Sequence, residues 1–236
     1  MKAIPTVFLS VLLLSACAQD DGPPAMTAQE QDEAQAMLTA YETARSGRNW
    51  ENAETVADKL RRRFPESDAA KRLAGSLDDT RAQAEAVREL RRLQALWDYQ
   101  TVAAEGGAQR SAAIPSRTVP AEEGQPAPLP DARLVLRDHP AWGRSAYLLL
   151  AQSRFECGTP CQVVIRFDSG DPLPFEARQA DSGQGPALFI EDEQGFVSRL
   201  AQSQKIRIEL PKGSGLVGSV SFDVGGYDAA RYAQGK

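Results

Sequence analysis

Residues able to do chemistry are few in this chain: three cysteines and one histidine in 236 residues. Cys157 and Cys161 enclose Gly158-Thr159-Pro160 between two β-prone runs. The spacing is not C-x-x-C, and no adjacent helix signal would stabilise an attacking thiolate, which argues against redox catalysis. Two cysteines and His139 also fall short of the four ligands of a closed zinc site. No metal site and no cofactor are therefore expected. His139 sits in Asp138-His139-Pro140-Ala141-Trp142, a turn-like insertion before a strand, and reads as a surface-loop histidine. Any Ser–His–Asp triad would have to use it, with Asp138 or Asp168 as orienter, but no G-x-S-x-G marks a nucleophile. Asp168 and Asp171 flank Ser169-Gly170, and Glu191-Asp192-Glu193 precedes Gly195. Both read as acidic turns, since glycosidic chemistry needs carboxylates opposed across a sugar-shaped cleft. Gly213-Ser214-Gly215 and Gly225-Gly226 lack the following helix and lysine of a phosphate loop.

The third cysteine has a different context. Lys2 gives a short positive start, Ile4 to Leu14 is mostly apolar, and Leu14-Ser15-Ala16 leads into Cys17. Such a stretch is too short to span a hydrocarbon core of roughly 30 Å, but it suits the apolar region of an export signal. The pattern resembles the lipobox of bacterial lipoproteins. That resemblance implies removal of residues 1–16 and acyl groups, palmitate among them, on the Cys17 thiol and its new amine; the alternative is an ordinary secretory signal cut near Ala16 or Ala18. Each buried acyl CH₂ contributes about 0.8 kcal/mol, and stable anchoring takes more than one chain. Ala18, where inner-membrane retention uses aspartate, points to the outer membrane, with the protein facing the periplasm. Once Cys17 carries lipid, Cys157 and Cys161 are the remaining thiols. An oxidising compartment favours a structural disulfide between them, pinning the turn and the flanking strands.

Removing residues 1–16 takes out Lys2 and no acidic residue, so the formal charge of −5 becomes −6 over the remaining 220 residues. This is not the basic footprint of nucleic-acid binding. Residues 17–26 read as a tether, with acidic residues, glycine and proline and little to bury.

Residues 27–94 read as a helical hairpin plus a third helix. Thr27 with Glu30 forms a capping box, and Ala34, Met37, Leu38 and Tyr41 mark one face. After the turn Gly47-Arg48-Asn49, Trp50, Ala53, Val56, Ala57, Leu60 and Phe64 recur at helical steps until Pro65. The order of Gly47, Trp50, Ala53 and Pro65 resembles the second half of a tetratricopeptide repeat. One unit is too few for a self-supporting array. Ser67 or Ser76 can cap the next helix, whose stripe runs through Leu73, Leu77, Ala84, Val87, Leu90 and Leu93. Arg88, Arg91 and Arg92 alternate with Glu85 and Glu89 on its wet face, and these arginines are candidates for partner contact.

Residues 95–228 read as a β-rich domain, with 229–236 as a C-terminal tail. Strands are expected from Trp97, at Ala112–Ile114, Arg133–Arg137, Ala146–Ser153, Gln162–Phe167, Ala187–Ile190, Lys205–Leu210 and Ser219–Val224. Phe196 to Leu200 reads as a short helix, and residues 119–131, with four prolines, read as a solvated connection. The fold class is α+β: antiparallel helices, then an antiparallel β-sandwich or partly open barrel. Leu96-Trp97-Asp98-Tyr99, Phe155-Glu156-Cys157, Cys161 to Asp168, Leu188-Phe189-Ile190, Lys205 to Glu209 and Ser221 to Tyr227 resemble a poorly characterised β domain of proteobacterial envelope proteins, beside which Arg178 reads as a wet-face arginine. That resemblance supports the β domain and carries no catalytic assignment.

Trp142 and Tyr147 form a second candidate interaction patch. The leading expectation is a lipid-anchored structural or protein-interaction module of the cell envelope. It would meet the membrane through Cys17 and an envelope protein or cell-wall component through its body, with no nucleic acid. A non-catalytic binder of cell-wall polymer or small ligand is the first alternative. An envelope hydrolase is the second, and a non-enzyme is favoured over it.

Overall fold

The computed structural model describes residues 26–118, 132–150, 156–157, 161–179, 186–213 and 215–234. Cys17, the signal segment, most of the tether, the proline-rich connection at 119–131 and Gly158–Pro160 lie outside these residues. The fold is α+β, with helices first and then an antiparallel sheet that does not close. The chain divides into two compact units between Asp78 and Asp79, within a helix, whereas the sequence pattern changes near residue 95.

The first unit holds α1 (Ala28–Ser46), α2 (Trp50–Arg63) and the start of α3 (Asp68–Ala95). Thr27 begins α1 through both arms of the capping box: its Oγ1 accepts from Glu30 N at 3.2 Å, and its own N donates to Glu30 Oε2 at 2.8 Å. Leu38, Tyr41, Leu60, Phe64 and Leu73 bury one another around the small residues Ala34, Ala53 and Ala57. Of the two candidate caps for α3, Ser67 is the one used, accepting from Ala70 N at 3.1 Å. Ser76 lies inside the helix, 2.7 Å from the Tyr41 hydroxyl.

The second unit is one sheet with short helices. Its strands are β1 (Asp98–Ala104), β2 (Gly107–Pro115), β3 (Ala132–His139), β4 (Gly143–Leu150), β5 (Glu156–Cys157), β6 (Cys161–Phe167), β7 (Leu173–Gln179), β8 (Ala187–Ile190), β9 (Ile206–Gly213) and β10 (Gly215–Phe222). Their order is β1-β2-β3-β4-β8-β7-β6-β9-β10, with antiparallel neighbours throughout, and β5 lies parallel to β9. Beyond β2, Arg117 N donates to Ser221 O of β10 at 2.8 Å. A single bridge of this kind, rather than a ladder, brings the far edge round without closing the barrel.

Alternation decides which side is buried. Leu134, Leu136, Leu148, Ile165, Ile208 and Phe222 are fully buried on the inner face, each contributing about 1.5–3 kcal/mol by leaving water. Helix α4 (Glu193–Leu200) closes one end by packing Phe196 against Phe167 and Phe175. The segment expected as a tail contains α5 (Ala229–Gln234), which buries Tyr232. Strand β7 is also new relative to the sequence reading: Leu173, Phe175 and Ala177 alternate with Pro174, Glu176 and Arg178.

Candidate interaction surface

The β3–β4 hairpin builds the surface. Its loop is Pro140-Ala141-Trp142, ending on Gly143 at φ 73°, the left-handed conformation such a three-residue loop requires. Within the loop, His139 Nδ1 accepts from Ala141 N at 3.1 Å, which leaves Nε2 to carry the proton of the neutral ring. The imidazole stacks on the Trp142 indole at 3.9 Å and 13°. His139 is thus buried, not the surface-loop residue its turn context implied, because Trp142 covers it. Trp142 itself is 71% exposed. The indole is thus open to solvent on one face and held by the imidazole on the other.

Strand register extends the surface. Val135 faces Tyr147, Tyr147 faces Phe189, and Phe189 faces Arg178, so all share one face of β3, β4, β8 and β7, with Val135 buried, Tyr147 and Phe189 half-buried and Arg178 exposed. The Arg137 guanidinium carbon lies 5.4 Å from the Trp142 ring centre and 5.4 Å from that of Tyr147. The Tyr147 and Phe189 rings are 5.0 Å apart, and Arg178 lies 4.7 Å over Phe189. The result is a ladder of rings and guanidiniums, Trp142–Arg137–Tyr147–Phe189–Arg178, across four strands. Each cation–π step contributes on the order of 0.5–1 kcal/mol at an exposed site, and the ladder holds its own side chains in place.

The charges along it differ. Arg178 pairs with Glu191 at 2.7 Å. Arg137 donates to Ser145 Oγ at 3.3 Å and has no carboxylate partner among the described residues. Burial pushes the Tyr147 phenol above its ordinary value while Arg137 pulls it back, so it stays protonated at neutral pH. Planar rings and in-plane guanidinium donors suit partners that offer carboxylates beside flat apolar faces.

No protein-family model and no curated protein matches this chain. Among solved structures, the crystal structure of invasion associated protein B from Bartonella henselae matches at TM-score 0.37 and 11% identity. The match covers 59% of this chain and 90% of that one.

The other residues singled out in the sequence have structural roles. Asp168, at φ 50°, accepts from Gln204 N at 2.9 Å and Lys205 N at 2.8 Å, tying the β6–β7 turn to the start of β9. Asp192 caps α4, accepting from Gly195 N at 2.9 Å. Burial raises the neighbouring Glu193 carboxyl, with Arg144 pulling the other way. His139 makes its hydrogen bond to Ala141, not to a serine or carboxylate, so the described residues assemble no nucleophile–base pair around it. Cys157 and Cys161 are joined in a disulfide with Cα atoms 5.2 Å apart, linking β5 to β6.

The arginines expected on the α3 wet face do not join the ladder. Arg88 pairs with Glu85 at 2.9 Å, and Arg92 with Glu89 at 2.7 Å. Arg92 also reaches Asp223 at 3.4 Å, and Arg117 meets the same carboxylate at 3.0 Å. Asp223 is buried, so this triad ties the end of α3 to the end of β10. Arg91 is exposed on the same helix.

The β-domain landmark residues also gather. Trp97 packs on Tyr99 and Tyr227, and Tyr227 on Tyr232. Tyr99 OH accepts from Asp228 N at 2.7 Å. Burial pushes the Tyr227 phenol up to about 12 and raises Tyr232 further. This cluster belongs to the core of the β unit, with Tyr227 packed against it.

Sequence reasoning picked out Trp142 and Tyr147 for contact, gave Phe189 only as a β-domain landmark and Arg178 only a wet-face role, and missed Arg137. The signal for Arg137 was present. It precedes His139 by two residues and so shares its strand face.

Proposed function

We propose that this protein is a lipid-anchored, non-catalytic interaction module of the bacterial cell envelope. Acyl groups on Cys17 hold it at the outer membrane, facing the periplasm, and its β unit captures a partner on the Trp142–Arg137–Tyr147–Phe189–Arg178 ladder. The observation that carries this reading is Trp142: 71% exposed, yet fixed by His139 at 3.9 Å. Interfaces concentrate their energy in such pre-held aromatic and arginine side chains. The Leu14-Ser15-Ala16-Cys17 pattern supports the anchor, and the Cys157–Cys161 disulfide is compatible with an oxidising compartment.

Two measurements test the two halves. For the anchor, Cys17→Ser should release the protein from the detergent-extracted membrane fraction, and unchanged membrane association would contradict it. For the ladder, Trp142→Ala and Arg137→Ala should each abolish a specific cross-linked partner in intact envelopes while lowering the thermal melt by only a few degrees. An unchanged adduct in both would contradict the docking face.

A cell-wall polymer is the second reading for the occupant. It is favoured by the ladder being an open row of rings rather than a closed pocket, a shape suited to stacking against sugar faces. Co-sedimentation with purified sacculi distinguishes the two occupants.

A further inference from the structure

The first unit carries a second surface, at the corner between α2 and α3. Helix α2 ends in Arg61-Arg62-Arg63, where cations complement the partial negative charge of the helix C-terminus. These three arginines have different surroundings. Arg63 is paired with Glu33, and Arg72 in the next helix meets Glu42 at 3.6 Å. Arg61 and Arg62 have no carboxylate partner among the described residues. Together with Lys71, whose contact to Asp68 is 3.7 Å between two exposed groups, they line a cavity of about 490 Å³. Its other walls are Pro65, Ala70 and one carboxylate, Asp58. Three cations against one acid, in a chain whose net charge is −5, make this an anion-receptive spot that the overall composition does not predict.

Its position gives it a partner. Pro65 is also a wall of the neighbouring groove, which Met26, Glu30, Arg63 and Phe64 line. Met26 packs on the same helical core and is the first described residue. The basic cavity and the point where the chain enters the unit therefore sit on two sides of one turn. Cys17 is nine residues before Met26. At about 3.3–3.6 Å per residue, this segment reaches no more than roughly 30 Å. A lipid on Cys17 keeps Met26 within that distance of a bilayer, and Pro65 lines the same groove as Met26.

We infer that Arg61, Arg62 and Lys71 form a headgroup-binding site for anionic phospholipid, setting which pole of the anchored protein meets the membrane. This rests on the lipid-anchor reading for its geometry, though not for its chemistry. Guanidinium pairs are suited to phosphate oxygens, and a basic patch commonly acts as the second signal beside an acyl anchor.

The test compares partitioning of purified full-length protein into vesicles of phosphatidylcholine alone and of phosphatidylcholine with phosphatidylglycerol. The readout is the ratio between the two, in which the headgroup-independent contribution of any anchor cancels. An acidic chain without such a site should avoid the anionic vesicles. The proposal expects a preference for them at low salt, reduced by salt because the Debye length shrinks to about 3 Å at 1 M. Each cation near an anionic surface contributes on the order of a fivefold change, so Arg61→Gln/Arg62→Gln/Lys71→Gln should lower the ratio at least roughly tenfold. The charge-matched control Arg81→Gln/Arg166→Gln/Arg199→Gln should leave it near the parent value. Arg61, Arg62, Lys71 and Arg199 are exposed and Arg81 and Arg166 half-buried, and an unchanged melt confirms folding. Equal ratios for the parent and the triple variant would overturn the proposal, as would abolition of the preference by millimolar inorganic phosphate at constant ionic strength. Failure of the anchor itself would appear separately, as loss of binding to neutral vesicles.

Discussion

His139 and Trp142 stack face to face at 3.9 Å, and this one contact turns an exposed indole into a fixed one. It also explains why a histidine in a Pro-containing turn is buried. The imidazole ties the loop backbone through Nδ1, and its face then serves as the platform for Trp142.

Trp142→Ala should therefore separate binding from stability. Truncating a central, pre-held aromatic costs about 2 kcal/mol or more of binding, roughly thirtyfold in affinity. Its exposure limits the loss of folding stability to about 1 kcal/mol, the worth of one exposed cation–π step and a half-open stack. Arg137→Lys keeps the charge but loses the planar stacking group, and should weaken partner capture as well. Titration with the isolated partner, alongside urea melts, measures both quantities.

Two glycine substitutions should act in opposite directions. A Cβ on Gly226 would meet the Leu93 and Gln94 backbone of α3, which cannot yield as a side-chain tip could. Gly226→Ala is expected to cost about 3 kcal/mol. Gly75 lies inside α3 with nothing within 4 Å of its Cβ position. Gly75→Ala should add about 0.5–1 kcal/mol by helix propensity. Denaturant midpoints of the two variants check the contrast.

Asp223 gathers Arg92 and Arg117 at 3.4 and 3.0 Å. Asp223→Asn keeps the shape and removes the charge, and both half-exposed guanidiniums can turn to water. A loss of about 1–2 kcal/mol follows from charge-assisted hydrogen bonds discounted for that exposure. The loss should shrink in the Arg92→Gln/Arg117→Gln background. Additive losses would mean that the triad does not couple.

The tyrosine cluster sets an alkaline limit. Burial raises Tyr227 from 10.0 to about 12 in the folded state, so folding favours the protonated phenol. The associated stability is complete below pH about 10, where both states hold the proton. It falls as pH rises through 10 to 12, because the unfolded chain ionises first. Thermal melts in that window should drop with a phenolate absorbance change, and Tyr227→Phe should flatten the dependence.

Much of this architecture was legible in the chain. Ile206 and Ile208 alternate with Arg207 and Glu209, and Val220 and Phe222 with Ser221. Both segments form strands with the apolar set buried, because a period of two commits each residue to one face. Thr27 and Glu30 marked the start of α1 for an equally local reason. Strand β7 escaped notice because Pro174 argues against a strand, yet it pairs opposite Val164 in the ladder with β6. The interaction ladder was only half visible. Trp142 and Tyr147 stand out by type, but Phe189 joins them through the β4–β8 pairing, which links segments about forty residues apart in a way no local pattern encodes. Arg88 and Arg92 looked available as a charged face, and their pairing with Glu85, Glu89 and Asp223 became evident only in three dimensions.

Position-specific photocross-linking in intact envelopes tests the docking face most directly. A photoreactive residue replacing the exposed Ala141, beside an intact Trp142, is compared with one replacing the exposed Asp171 in the β6–β7 turn. The account predicts a discrete adduct at position 141 that disappears with Arg137→Ala, and none at position 171. Equal labelling at both positions, or an adduct at 141 indifferent to Arg137, would contradict it.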